Sequence, residues 1–327
     1  MEKFVAFAIK YGFLIVMAGS FLWFGLLEPA FWSWSNMFSI LLGVTIVGIL
    51  ALGVTFTLIV DGFDLSIGST AAICVMVSSY VMVVLNLNYM YAIVFSILLG
   101  ITIGLINGLL IVKAKIPDTL ATLGMMFLIQ GLQLIPSAGM SIGTGMMLAD
   151  GSEAEGEFAQ QFLFLGQGRL FDLIPVPVVA FTILAIVTYF VLQYTKWGRI
   201  LYAIGGNEKA VKLAGVNVER YKIAAYVISG TISSVAGILL AARIGRGDVT
   251  SGGGLLLDAI AAALIGYAVL GVKKPNALGS VVGVIFIGML LNGLTMLSLP
   301  YYTQDFIKGV VLVAALIFTF GLSKSEI

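Results

Sequence analysis

A small set of polar side chains lies inside or beside long apolar runs of this chain, and their chemistry bounds what it can do. The carboxylates Asp61, Asp64 and Asp258 stand in glycine-rich stretches. The amides Asn107, Gln130, Gln133 and Asn292 and the hydroxyls Ser66, Ser78, Ser79 and Thr122 fall in or at the ends of hydrophobic segments. Such groups exchange hydrogen bonds with a hydroxylated solute or with one another. Inside a bilayer they are costly and mark either a solute route or a bond between helices. Taken singly, each fits a structural bond better than a pathway contact, and the three aspartates fit capping of helix starts better than ion binding. Histidine is absent and the one cysteine, Cys74, sits in an apolar run. The usual acid–base side chain and commonest metal ligand is therefore missing, as are a disulfide framework and a cysteine metal site. That disfavours a hydrolase or zinc enzyme and leaves carboxylate chemistry open.

A second constellation is the basic island TKWGRILYAIGGNEKAVKLAGVNVERYK at 195–222. Gly205 and Gly206 are expected to break the preceding segment. Asn207 is placed to N-cap a new helix, and Glu208 suits the positive helix end with Lys212 one turn on. Gly215 supplies a left-handed stop. A helix of about eight residues is too short to stand alone in water, so it must dock, either on its own chain or on a soluble partner.

The elements that must position these residues are membrane helices. Hydrophobic residues make up 60% of the 327 residues and charged ones 10%, with a mean hydropathy of +1.11. Soluble domains carry about 25% charged residues. The net charge of +1 names no partner, and no basic patch of the nucleic-acid kind occurs. On a ruler of about 20 apolar residues per crossing, ten spans are expected near 11–27, 36–60, 69–85, 89–112, 118–135, 174–194, 223–242, 257–272, 278–298 and 305–322. The segments beginning at Ser69 and Leu257 are short enough to be broken or re-entrant. The N-terminus lacks a small-residue cleavage site and reads as a retained first helix. With that end inside, the cytoplasmic side receives Lys3, Lys10, Lys113, Lys115, Lys196, Arg199, Lys209, Lys212, Arg220, Lys222, Lys273, Lys274 and Lys324. The outer side keeps Arg169, Arg243, Arg246 and Lys308. The positive-inside rule then puts both termini and the basic island in the cytoplasm. The long loop 136–173, with Asp150, Glu153, Glu155, Glu157 and Asp172, falls outside.

Glycine is abundant, 39 residues, about 12% against a typical ~7%. The spacings Gly100–Gly104, Gly104–Gly108 and Gly279–Gly283 suit close helix packing. Glycines at 61–69 and 243–258 suit broken helices beside a pathway. There Gly68 marks a break where a second chain would approach. NGLLIVKAKIPDTLATLG at 107–124 resembles NGLTMLSLPYYTQDFIKG at 292–309. Five spans separate them, which makes the two halves inverted, a transporter signature.

These residues together resemble a known family, the permease subunits of bacterial ABC importers of the ribose/xylose/galactose type, within the branched binding-protein-dependent permeases. The resemblance covers nearly the whole chain. It rests on GFDLSIGS at 62–69, GLINGLLIVKAKIPDTLATLG at 104–124, GRILYAIGGNEKAVKLAGVNV at 198–218, LLLDAIAAALIG at 255–266 and the Asn-Gly-Leu at 292–294. It implies an all-α integral membrane fold of about ten helices in two inverted five-helix halves, like the vitamin B12 importer, forming a single permease domain. It also implies a bacterial inner-membrane location and three protein partners. These are a cytoplasmic ATPase subunit, a second permease chain (identical or a close relative), and an extracytoplasmic substrate-binding protein delivering a small sugar.

The resemblance assigns ATPase coupling to Arg199, Gly205, Gly206, Asn207, Glu208, Ala210 and Gly215. Glu208 and Ala210 resemble a degenerate Glu-Ala-Ala loop whose glycine spacing differs. Pathway or gate candidates are Asp61, Asp64, Ser66, Gly68, Asn107, Thr122, Gln130, Asp258 and Asn292. No G-x-x-x-x-G-K-[ST] pattern occurs, so ATP and Mg²⁺ belong to the partner, and no cofactor is expected on this chain. Two stretches depart from the family. YAVLGVKKPNALGS at 267–280 replaces a glycine-rich turn, and the outer loop carries an extra SIGTGMMLADGSEAEGE at 141–157. A nucleoside importer of the same family, an ion-coupled carrier and a membrane enzyme are the other readings.

Overall fold

Long apolar runs punctuated by short polar caps produce helices throughout. The computed structural model describes residues 2–148, 151–267 and 274–316. Asp150, Lys273, Lys324, the ends of the expected spans 257–272 and 305–322, and positions 268–273 of the departing stretch lie outside the described residues. Among the described residues twelve α-helices form. These are α1 Glu2–Leu27, α2 Trp34–Ile59, α3 Ile67–Ser79, α4 Tyr89–Val112, α5 Asp118–Leu132, α6 Gln160–Gln167, α7 Val176–Tyr194, α8 Lys196–Leu213, α9 Val218–Ile244, α10 Leu255–Ile265, α11 Ala277–Met296 and α12 Tyr301–Leu316. Caps set several starts. Ser33 Oγ accepts from Asn36 N at 3.2 Å before α2, Asn88 from Met90 N at 2.9 Å before α4, and Asn276 from Gly279 N at 2.7 Å before α11. Each cap satisfies one of the four N–H groups a helix start leaves free.

Among the described residues seven helical stretches are long and apolar enough to cross a membrane: α2, Ile67–Val84, α4, Asp118–Ser137, α7, α9 and α11. Shorter apolar helices occupy Phe13–Leu27 and Leu255–Ile265. Of the two segments expected to be short, α10 is, while α3 continues through a π-helical turn into an 18-residue stretch. α3 runs for 13 residues before a π-helical turn at Tyr80–Val84, and α10 has 11 residues.

Packing centres on α2 and α9, which lie against each other. α9 also packs on α3 and α4, while α2 packs on α10 and α11. α3 meets α4 and α5 as α10 meets α11 and α12, and α4 meets α5 as α11 meets α12. Exchanging α2–α5 with α9–α12 therefore preserves the packing scheme. α1 and α7 break it, because both lie against α11.

The glycine spacings explain the tightest seams. A Cβ on Gly104 would come within 2.7 Å of Val227 Cα, and one on Gly108 within 3.0 Å of Ile223 Cα, so α4 lies with its backbone on α9. Gly279 and Gly283 do the same for α11 against Gly266 and Ala262 of the α10 segment. Such approach gains dispersion contact where lipid supplies no hydrophobic drive between helices.

The loop 136–173 is folded where it is described. Ile142 pairs with Gly247, and Gly156 N donates to Val83 O at 3.2 Å. The strands β1 Arg169–Leu170 and β2 Ile174–Pro175 form a short antiparallel hairpin, with Arg169 opposite Pro175. Ile142, Ala154, Phe158 and Phe162 are buried with Val75, Met82 and Ile238. Ile142 and Ala154 of the extra stretch thus cover the C-terminal ends of α3 and α9.

Candidate coupling element and buried polar cluster

The basic island folds as α8, started by Thr195, whose Oγ1 accepts from Gly198 N at 3.1 Å. The expected break at Gly205-Gly206 falls one residue later. The helix runs through both glycines and is interrupted at Asn207, whose backbone is extended (φ −162°, ψ 90°). Asn207 Oδ1 then accepts from Ala210 N at 3.0 Å, which caps the second piece as its sequence predicts. Gly215 ends it with φ +81°, a conformation glycine adopts without a Cβ penalty.

Gly205 serves another purpose than breaking the helix. Its Cα lies so near the carbonyl oxygen of Ile59, at the end of α2, that a Cβ has no room. Gly206 has open space. Glu208 pairs with Lys222 of α9 at 2.6 Å rather than with Lys212, and Glu219 pairs with Lys113 at 2.5 Å. Exposed pairs contribute ~0–1 kcal/mol, so these orient the segment more than they stabilise it. Arg199 Nη1 donates to Tyr194 O at 3.3 Å.

The contacts of Trp197 and Tyr202 and the exposure of Leu213 escaped sequence reasoning. Trp197 packs between Phe56 and Tyr221, with centroids 6.2 and 6.1 Å away; a lone tryptophan amid basic residues was the available signal. Tyr202 donates to Pro275 O at 3.0 Å, and burial pushes its hydroxyl pKa up to about 12. Leu213 is 90% exposed, on the same face as exposed Ala210 three residues earlier.

The second site is the turn between α2 and α3. Asp64 is 1% exposed. Its Oδ1 accepts from Ser66 N at 2.9 Å and Ser66 Oγ at 2.7 Å, and its Oδ2 accepts from Ser229 Oγ of α9 at 2.8 Å. Fully buried Asn107 of α4 donates from Nδ2 to Ser66 Oγ at 2.8 Å. Thr122 of α5 shares one hydroxyl proton between Asp118 O at 2.8 Å and Phe63 O at 3.1 Å. One turn is thereby tied to three helices. Ser229 was missed; the hydroxyl-rich run around Ser229, Ser233 and Ser234 carried that signal.

The capping assignment of the three aspartates needs correction. Ser66 holds the N-cap position of α3 without accepting a capping bond from the helix, and Asp64 lies two residues earlier, bonded forward and across to α9. Asp61 sits beyond the end of α2 with φ +59° and donates its N–H to Leu58 O at 3.1 Å, which makes it a helix end. Asp258 lies in the first turn of α10, behind Gly254 at the cap (φ +81°), and pairs with Lys308 of α12 at 2.7 Å. Gly68 is corrected too. A Cβ there would meet Leu256 Cβ at 3.2 Å, so the starts of α3 and α10 abut within one chain.

The remaining candidates scatter. Ser78 bonds Ser96 at 3.0 Å, Ser79 donates to Val75 O at 2.8 Å, and Gln133 donates to Val249 O at 3.4 Å. Asn292 keeps a buried Oδ1 without a partner on α11. Gln130 faces outward from α5.

Comparison with known proteins agrees with the resemblance read from the motifs. The chain is 34% identical over 291 residues to the ribose import permease protein RbsC of Escherichia coli (strain K12), covering 89% of this chain and 87% of that one. It is 35% identical over 294 residues to the ribose import permease protein RbsC of Bacillus subtilis (strain 168), with the same coverage. It is 34% identical over 313 residues to the L-arabinose transport system permease protein AraH of Escherichia coli (strain K12), covering 94% and 90%. No solved structure gives a significant match. Residues 36–316 match the family described as branched-chain amino acid transport system / permease component. With that match over most of its length, the chain belongs to this permease family.

Proposed function

We propose that this chain is the membrane-spanning permease subunit of an ATP-driven, binding-protein-dependent importer for a monosaccharide, with pentoses the first substrates to test. The observation that carries this is α8. It presents an exposed, capped helical end bearing Ala210 and Leu213 to a partner, and its other end lies directly on α2. A cytoplasmic ATPase holding ATP and Mg²⁺ is that partner, and a substrate-binding protein delivers the sugar outside.

Ten crossings in two inverted halves fit the exchange of packing between α2–α5 and α9–α12, with α1 and α7 completing the set. The route lies between two permease chains. On the outward face of α5, Gln130 is exposed and Gly124 and Gly131 leave open space. Lipid is a poor neighbour for an amide, whereas a sugar or a second chain is not. An ion-coupled carrier is less well supported, since both oxygens of the buried Asp64 already accept bonds from protein donors.

The test is uptake into proteoliposomes holding this permease, its ATPase and its binding protein. Labelled ribose, xylose or arabinose is expected to accumulate only with ATP and binding protein together. Accumulation driven by a proton or sodium gradient without ATP would overturn the reading, and uptake of nucleosides alone would move it to the related importer class.

Orientation has its own check. With Cys74→Ser as background, Gly151→Cys is expected to label with an impermeant thiol reagent from outside the cell, and exposed Lys209→Cys only from inside. Labelling of both from one side would refute a cytoplasmic α8 opposite an external 136–173 loop.

A further inference from the structure

An open groove of about 630 Å³ lies between the second piece of α8, the end of α4 and the start of α9. Its apolar floor includes Ile111, Val112 and Val216, and its rim carries Lys115, Lys212 and Lys222. Lys222 is held by Glu208 at 2.6 Å, and the other rim carboxylate, Glu219, by Lys113 at 2.5 Å. Among the described residues Lys115 and Lys212 make no direct ion pair; with Lys113 they hold the Glu219 carboxyl below its usual range, and with Lys222 the lining carries three lysines against two carboxylates. The volume lies in the range of small-molecule sites, about 300–1,000 Å³.

Two further features say what fits. Tyr91, Phe95, Leu98, Leu105 and Leu109 lie along one exposed face of α4, interrupted at exposed Thr102. The next positions on that stripe are Val112, which lines the groove, and the turn that holds Lys115. Lys115 has φ +56°, a left-handed backbone that a non-glycine residue adopts rarely. The strained turn puts a cation on the rim where glycine would be easier.

We propose that this groove binds the headgroup of an anionic phospholipid of the inner leaflet, with its phosphate between Lys115 and Lys212 and an acyl chain along the α4 stripe. Basic pockets between helix ends on the cytoplasmic side recognise such headgroups by charge. The lipid bridges α4 and the coupling piece of α8, so it tunes how firmly that piece is seated. This rests on the cytoplasmic placement of α8 proposed above.

The complete importer, permease with ATPase, is incorporated in nanodiscs of phosphatidylcholine with phosphatidylglycerol, and lipid retained on extraction is counted by native mass spectrometry. Wild type is expected to retain phosphatidylglycerol over phosphatidylcholine. Lys115→Gln with Lys212→Gln is expected to lower that retention about tenfold, which corresponds to about 1.4 kcal/mol. Lys115→Arg is expected to restore it, and Lys209→Gln, outside the groove, to leave it unchanged. Retention without headgroup preference, equal loss with Lys209→Gln, or no retention once the ATPase is bound would each overturn the proposal. Displacement by excess inorganic phosphate would reassign the site to free phosphate and likewise overturn it. The count needs no transport, so its failure is distinct from failure of the uptake assay.

Discussion

Ala210→Arg is expected to cut sugar uptake about tenfold or more, the equivalent of ~1.4 kcal/mol or more of lost docking, while ATP hydrolysis continues uncoupled. Ala210 has an exposed side chain. Surface changes of that kind usually shift stability by under ~0.5 kcal/mol, so the variant should reach the membrane in normal amount and melt like wild type. What changes is the face it shares with Leu213, where arginine adds bulk and charge to a small apolar contact. Uptake and ATPase activity measured in the same proteoliposomes decide the matter. Unchanged uptake would remove the coupling role of α8.

Asp64→Ala is expected to be the most damaging single change to the fold. Removing the carboxylate strips the acceptor from the Ser66 N–H and from the Ser66 and Ser229 hydroxyls in a fully buried site. Each orphaned donor costs about 1–3 kcal/mol, so about 3 kcal/mol or more is expected. Deleting a buried charge also relieves its desolvation cost, but alanine fills none of the vacated volume and supplies no acceptor. The readout is the melting temperature and yield of purified permease. A D64A protein that matches wild type on both counts would show that the turn does not need its anchor. Asp64→Asn, which retains shape and one acceptor, is expected to fall between.

Much of this was legible in sequence because it is local. The Asn207 cap, the Gly215 stop and the short α10 all depend on residues within a few positions of one another. The pairing of Glu208 was not, because Lys222 is fourteen residues away and reaches it only once α9 is placed. The same holds for Asp64. Its spacing from the next apolar run suggests a cap, yet its second oxygen is claimed by Ser229, 165 residues on. Glycine was legible as tight packing but not by partner. Gly205 looked like a breaker, and only the nearness of Ile59 reveals it as a contact point. Gly68 looked like a site for a second chain, and Leu256 of its own chain occupies that space.

The contact between Gly205 and Ile59 has a mechanical consequence. A side chain between two elements acts as a soft spring, since rotamer changes absorb small displacements before any load passes on. Here main chain bears on main chain, and that compliance is absent. A displacement of the first piece of α8 would reach the end of α2 with little backlash, and the Asp64 turn follows α2 directly. A bulkier residue at 205 would lengthen the linkage and detune its stroke even where the fold survived.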